Sequence, residues 1–527
     1  MRTLCALLLL GGPLAAQPEN IRMDRVRADL FFLASPALEG RQSGARGSEV
    51  ALEWVAAEFA KAGLQPVAGT SFKQPVPVIE YRVDSRSSGL TVRWRDREES
   101  FRSPEASGSF PRDYQAKGEV VFAGFGITAP ELGYDDYAGL DARGKIVLVF
   151  DDEPQEYDPA SIFNGREMTL HATGQMKMTN ALRHGAVALL TAAEPNRKHP
   201  AYRELLQRRR GAARSGPPVA SQALDPGAPA IPVFSISDKL AAALIAAAGQ
   251  TPAALQAAID ATAKPASLAL PGVEAEVRIV LSERRRSKTA NVVGMIEGSD
   301  PKLKNETVLV CGHYDHLGAD GEAGYMPGAD DNASGTAGLV ELARVFAASP
   351  VKPRRTLVFA ALAAEERGLL GAYHYTLHPP RPLETTRAVL NLDMIGRNEA
   401  ETVETKGLIE IAADTSNELN LMALTFGAGA REAMDRANAG VGLQLNDKWD
   451  REPALRMLAR SDHYPFLLRG IPAVFFFTGM HPDYHTARDT PDTVNYAKMG
   501  RILKLAWRAA SEFAGTDNPP RFRATTR

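Results

Sequence analysis

The chain has 527 residues, 44% of them hydrophobic and 24% charged, with 61 basic and 63 acidic residues and a formal net charge of -2. Single cores stop growing near about 250 to 300 residues, so this length predicts two domains. The balanced charge leaves no basic footprint for nucleic acid and no charged block for a membrane surface, which makes peptide or small-molecule chemistry the default.

The N-terminus reads MRTLCALLLLGGPLAAQPEN: one Arg, an apolar run from Leu4 to Leu10, a Gly-Gly-Pro break, then small residues around Ala15 and Ala16. This is the pattern of a secretory signal peptide cleaved near Ala16. The apolar run is far shorter than the ~20 residues of a membrane-spanning helix. The two cysteines are Cys5 and Cys311, so signal removal leaves one thiol and no disulfide within the chain. A secreted or periplasmic protein without stable membrane insertion is expected.

From Met23 to Pro66 the pattern predicts a short helix, a Gly/Ser-rich loop and a second amphipathic helix stopped by Gly63. Residues 67–112 turn to short alternating runs such as LTVRW, expected to be edge strands. Between about 113 and 265, short β-like runs (GEVVFAGFGI, GKIVLVFDDEP, AVALLTAAEP, AIPVFSI) are separated by polar loops. That segment is expected to form a separate small domain. Its basic stretch at 208–218 reads as a solvated loop, and the Ala/Pro-rich 252–272 as a return to the main body. After Ala290, the strand candidates NVVGMIE, TVLVCG, TLVFAAL, AVLNLD, LIEIAA and AVFFFTG alternate with helical stretches, which predicts an α/β sheet covered on both faces. The expected division is a signal at 1–16, main-body residues at 17–112, an insert at 113–265, the principal part of the main body at 266–517 and a tail at 518–527.

In such sheets reactive groups gather beyond the strand ends. Ligand-type side chains concentrate in CGHYDHLG (His313, Asp315, His316), GADDNASG (Asp330, Asp331), AAEERG (Glu365, Glu366), LNLDMIG (Asp393) and YHTARDT (His485). Imidazole and carboxylate without thiolate suit zinc or a similar divalent ion. A lone strand-end His is more often structural, and Asp330 could simply cap the helix starting near Ser334. Asp393 says more, because a carboxylate ending a buried strand is costly without a cation or donors. Five such groups together make separate structural explanations improbable. There is no Gly-rich phosphate loop and no G-x-S-x-G elbow, which leaves nucleotide-dependent and serine-hydrolase chemistry unsupported.

In order, GHYDHLG, GADDNASG, AAEERGLLG, NLDMIG and YHTARDTPD resemble the signature segments of the M28 family of zinc aminopeptidases. The segment from LASPALEG to AGLQP resembles that family's N-terminal helices. YDDYAGLDARGKIVLVFDDEP with NALRHGAVALL is more loosely similar to the protease-associated (PA) domain inserted in some members. The resemblance implies an α/β, three-layer zinc-exopeptidase fold with a mixed central sheet plus a β-rich inserted PA-like domain. It also implies two Zn2+ ions, or other divalent ions such as Co2+ or Mn2+, about 3.5 to 4 Å apart. Asp331 would bridge them, by its register three residues before Ser334, with Asp330 as fallback. His313 and Asp393 would complete one site, and Glu366 with His485 the other. Asp315 would orient His313. Glu365 would be the general base, taking a proton from the attacking water and giving it to the leaving amine.

His481 is an alternative to His485. Asp462 and His463 fit no ligand position, and a helix cap and a structural His explain them equally well. His316, Tyr325, Tyr464 and Tyr484 are candidates to line the substrate cleft, whereas His171, His184 and His199 fall in the insert and are given no catalytic role. The implied activity is an exopeptidase acting on the N-termini of peptides, in an oligomeric state the sequence leaves open. Carboxypeptidase-type and glutaminyl-cyclase-type enzymes, and a non-catalytic receptor-like peptide binder, are the alternatives on the same scaffold.

Overall fold

The computed structural model describes residues 21–94, 97–102, 106–205, 219–321 and 324–525. The signal-like segment 1–16, with Cys5, and the basic stretch 208–218 lie outside the described residues. Among the described residues no single helix is long and apolar enough to cross a membrane.

Four parallel strands form the centre of the principal sheet, side by side in the order Thr356–Leu362, Thr307–His313, Thr386–Leu392, Ala473–Phe477. All four are apolar runs buried along their length or nearly so, as strands covered on both faces must be. Antiparallel strands extend the sheet on both sides. Leu281–Ile296, Lys73–Val83 and Ser221–Leu224 follow beyond Thr356–Leu362. Glu418–Met422 pairs with Ala473–Phe477 and carries the short Gln444–Asn446. The sheet is therefore mixed.

Successive side chains leave a strand on opposite faces. Val308, Val310, Leu357, Phe359 and Leu390 pack under the helices Met23–Leu33, Arg46–Ala62, Gly335–Ala348 and Tyr496–Gly515. Leu309, Cys311, Val358 and Ala360 pack under Leu370–Leu377 and Tyr464–Leu467. These are the expected three layers, and Gly63 ends the second helix in the left-handed conformation that glycine tolerates best.

A second sheet has its own core. Its strand order is Arg97–Phe101, Gly89–Trp94, Leu268–Ile279, Tyr114–Phe122, Ile146–Phe150, Ala188–Ala192, Val233–Ile236, Ala106–Ser109. This corrects the expected limits of 113–265. Strands 89–109 and 268–279 belong to the insert because they pair into this sheet, Gly89–Trp94 against Leu268–Ile279 and Ala106–Ser109 against Val233–Ile236, partners that short alternating runs cannot assign. The segment 252–272 is no return to the main body either: the helix Pro252–Thr262 packs Leu255 and Ile259 into the insert's core.

LIEIAA forms no strand. Ile409 is buried in a turn-rich segment, and the strand falls at Glu418–Met422. A short apolar run satisfies a buried turn as readily as a strand.

Phe359 is fully buried on the central sheet, with its ring 6.1 Å from that of Phe346. Phe359→Ala should destabilise the principal domain by about 3–5 kcal/mol, read as a lower urea midpoint.

Candidate functional site

Parallel strands end on the same side, so the carboxyl ends of the four central strands deliver their following residues to one edge. His313 closes Thr307–His313 and Asp393 follows Thr386–Leu392. Glu365 and Glu366 begin a one-turn helix just beyond Thr356–Leu362, and His485 lies in the loop after Ala473–Phe477.

Asp331 reaches this edge through Asn332. The Asn332 side-chain amide donates to Leu392 O at 2.9 Å, and its oxygen accepts from Gly335 N at 2.9 Å and Met394 N at 3.2 Å. Asn332 thus caps the helix Gly335–Ala348, the role anticipated for Asp330, and ties the helix start to the strand end that carries Asp393. A Cβ on Gly335 would lie 2.2 Å from Leu392 O, so only glycine permits this approach. Thr336 Oγ1 donates to His313 O at 2.6 Å and fixes a second strand end to the same helix.

The two oxygens of Asp331 face different groups. Oδ1 lies 3.4 Å from His313 Nε2, which is 3.3 Å from Asp393 Oδ1. Oδ2 lies 2.9 Å from His485 Nε2, which is 3.4 Å from Glu366 Oε1. The five residues singled out as ligands, His313, Asp331, Glu366, Asp393 and His485, therefore converge around one carboxylate. Glu365 stands slightly back, with Oε2 3.9 Å from His313 Nε2.

Asp330 is engaged elsewhere. Its Oδ1 accepts from Gly396 N at 2.6 Å, and its Oδ2 faces His481 Nε2 at 3.3 Å. That places both fallback residues, Asp330 and His481, outside the convergence. Asp315 sits behind His313, but its backbone oxygen, 3.1 Å from Nδ1, is closer than its carboxylate at 3.7 Å. The carboxylate accepts from Glu365 N at 3.0 Å instead, joining the two strand ends.

Three residues carry more than the sequence assigned them. His316 is fully buried, not a cleft wall, and its Nδ1 lies 2.8 Å from Glu366 Oε1 and 3.7 Å from Asp331 Oδ2. The available signal was its three-residue spacing from His313. Asp489 accepts from Asp330 N and Asp331 N, at 3.0 and 3.2 Å, and so fixes their turn. Arg41, fully buried, donates to the carbonyls of Leu33, Tyr314, Pro327 and Gly328 and clamps the loop after His316. Tyr464 does not line the cleft: it is buried and donates to Thr173 Oγ1 in the insert at 2.6 Å. Tyr325 reaches back to Ala34 O at 3.4 Å. Tyr484 stacks on His485 with centroids 3.8 Å apart and, with Val403 and Met480, borders a cavity of about 350 Å³ beside the site. A larger cleft of about 960 Å³, bordered by Glu306, Arg355 and Thr386, lies at the opposite ends of the strands and holds none of these residues.

The adjacent glutamates are driven apart electrostatically. Burial pushes the Glu365 carboxyl well above its ordinary value; His313 opposes this, while the charges of Glu366 and Asp393 add to it. Burial would raise Glu366 too, but the facing His485 and the hydrogen bonds from His316 and His485 hold it well below the carboxylate range. Asp462 is buried with neither carboxylate oxygen hydrogen-bonded, and burial lifts it to about 8. His463 is buried and stacked on Phe475, and burial lowers it to about 3. Neither faces the shared Asp331.

The donor set fits divalent cations. Asp331, Glu366 and Asp393 converge with imidazole nitrogens, a concentration of buried negative charge that calls for positive charge. The one thiol among the described residues, Cys311, is directed at Asn391 Oδ1 instead.

Residues 291–510 match the family model for peptidase family M28. This segment is a peptidase family M28 domain. The chain is 41% identical over 112 residues to a probable zinc metalloprotease of Pyrenophora teres f. teres, covering 21% of this chain and 23% of that protein. It is 26% identical over 253 residues to aminopeptidase YwaD of Bacillus subtilis, covering 47% and 49%. The chain thus spans between about a quarter and a half of these curated relatives. An aminopeptidase structure from Aneurinibacillus sp. strain AM-1 aligns over 96% of both chains, with 20% identity and a TM-score of 0.48.

Asp489→Ala would leave the buried Asp330 and Asp331 N–H groups without their acceptor, at about 1–3 kcal/mol for each. The expected result in the M28 domain is a lower melting temperature together with weaker retention of divalent metal in elemental analysis.

Proposed function

We propose that this protein is an exported, metal-dependent aminopeptidase that removes N-terminal residues from peptides with Glu365 as general base. The observation that carries this reading is the division of Asp331 between two groups, His313 with Asp393 and His485 with Glu366. Two divalent ions sharing Asp331 would use both of its oxygens, and zinc suits the donors. A single-ion cyclase would leave one oxygen without a task. The similarity to proteins named zinc metalloprotease and aminopeptidase supports the same reading. Export rests on the N-terminal sequence alone.

When bound, such ions polarise the scissile carbonyl and acidify the attacking water. The chain's own residues do the rest. Asp315, through Glu365 N, holds the turn that presents the Glu365 carboxylate, and its backbone oxygen fixes the His313 ring. Glu365, 10% exposed and farther from His313 than Asp331 or Asp393, is the carboxylate left to take the water's proton and deliver it to the leaving amine. Its raised pKa, beside the lowered one of Glu366, is the separation expected of a proton carrier next to a ligand. His316 would steady Glu366 or share its cation.

Glu365→Gln should lower kcat by at least roughly 10²-fold while metal content stays near that of the wild type, whereas Glu366→Ala should lose metal. Peptides with free N-termini should be cleaved and their N-blocked counterparts spared. Equal cleavage of N-blocked and C-blocked peptides would overturn the exopeptidase reading, and a metal-free, inactive wild type would favour a binding protein.

A further inference from the structure

A second group of buried ligand-type side chains lies in the insert, apart from the M28 residues. It forms beyond the carboxyl ends of two adjacent parallel strands, Ile146–Phe150 and Ala188–Ala192. Asp152 and Glu156 follow the first strand; Glu194 and His199 follow the second. All four are at least nine-tenths buried, with exposures of 2, 9, 3 and 8% in that order. One ligand atom from each of Asp152, Glu156 and His199 falls within 4.8 Å of the others. His199 Nε2 is 3.0 Å from Glu156 Oε2 and 3.4 Å from Glu194 Oε1.

Three further features point to a cation rather than a closed ion-pair network. Asp152 Oδ1, Glu156 Oε1 and Glu194 Oε1 are buried and accept no hydrogen bond. The nearby cations do not reach these three oxygens: Lys177 donates to the carbonyls of Phe125 and Asp152, and Arg456 pairs with the other Asp152 oxygen, Oδ2, at 2.8 Å and with Asp151 Oδ2 at 3.3 Å. The His199 ring is set as a metal-binding imidazole would be, with Nδ1 2.8 Å from Pro200 O and Nε2 turned toward the carboxylates.

We propose that Asp152, Glu156, Glu194 and His199 form a further metal site, specific for a divalent first-row transition ion such as Zn2+ or Mn2+. Three carboxylates and one imidazole suit those ions, whereas Ca2+ and Mg2+ take all-oxygen sets. The ion fastens the loops that meet the M28 domain, because Arg456, on Asp151 and Asp152, comes from that domain. The site is separate from the Asp331 centre and does not depend on the proposed reaction.

The test uses the full chain carrying Asp331→Asn and Glu366→Ala, which disable the other centre. After chelation, this protein is dialysed against Zn2+, and in parallel against Mn2+, and bound metal is measured. One equivalent should remain bound and should raise the melting temperature. Adding Glu156→Gln and His199→Ala should remove that equivalent and the thermal shift. If this variant does not fold, His199→Gln alone should weaken the metal affinity by tenfold or more. A folded parent that binds no metal, or an equivalent that survives these substitutions unchanged, would overturn the site and leave the group as an interdomain ion pair. Neither result would bear on Glu365.

Discussion

Everything at the carboxyl edge of the principal sheet answers to one constraint: several carboxylates share a volume that water barely enters. Asp315, Asp331 and Asp393 are buried, and Glu365 and Glu366 keep only 10% and 7% side-chain exposure. Such charges persist only where hydrogen-bond donors, imidazoles or cations face them. The supporting structure reads as the means of meeting that demand. Asn332 and Thr336 lock one helix to two strand ends, Asp489 holds the Asp330–Asp331 turn from behind, and Arg41 contributes a buried positive charge while gathering four carbonyls. The same demand makes the neighbouring glutamates unequal, since both are buried but one faces two imidazoles while the other has only the more distant His313 against the charges of Glu366 and Asp393.

Much of this could be read in the sequence, and for definable reasons. The run TLVFAAL is the strand Thr356–Leu362 to the residue, because a fully buried strand is a continuous apolar run closed by a turn. Strand-end clustering also brought His313, Glu366 and Asp393 together correctly, since parallel strands must end on one side. The preference for Asp331 over Asp330 comes from register with Ser334, and the geometry that separates the two lies outside local pattern. It depends on Gly396 and His481, which approach Asp330 from 66 and 151 positions away along the chain. His316 was underrated because its burial depends on packing against the turn at Glu366, a contact that spacing along one strand does not encode.

The insert shows where periodicity runs out. Alternating runs such as LTVRW state which face is apolar but not which sheet supplies the partner, so strands 89–109 and 268–279 could not be assigned from pattern alone. His199 was passed over for a related reason. A histidine in a polar loop acquires significance only when folding brings Asp152, Glu156 and Glu194 around it from two different strand ends.

The long antiparallel ribbon of Lys73–Val83 and Leu281–Ile296 bears on how the insert is attached. Val83 pairs with Leu281, so the chain departs for the insert and comes back at two points that touch. A short turn joining them would convert the ribbon into an ordinary β-hairpin and close the M28 body without the intervening residues. The one piece of the principal sheet lost with the excised segment would be Ser221–Leu224, which leaves Lys73–Val83 as a bare edge. Excision would thus spare the rest of the principal sheet, at the cost of a strand edge open to pairing with another chain and of the ties from Tyr464 to Thr173 and from Arg456 to Asp152.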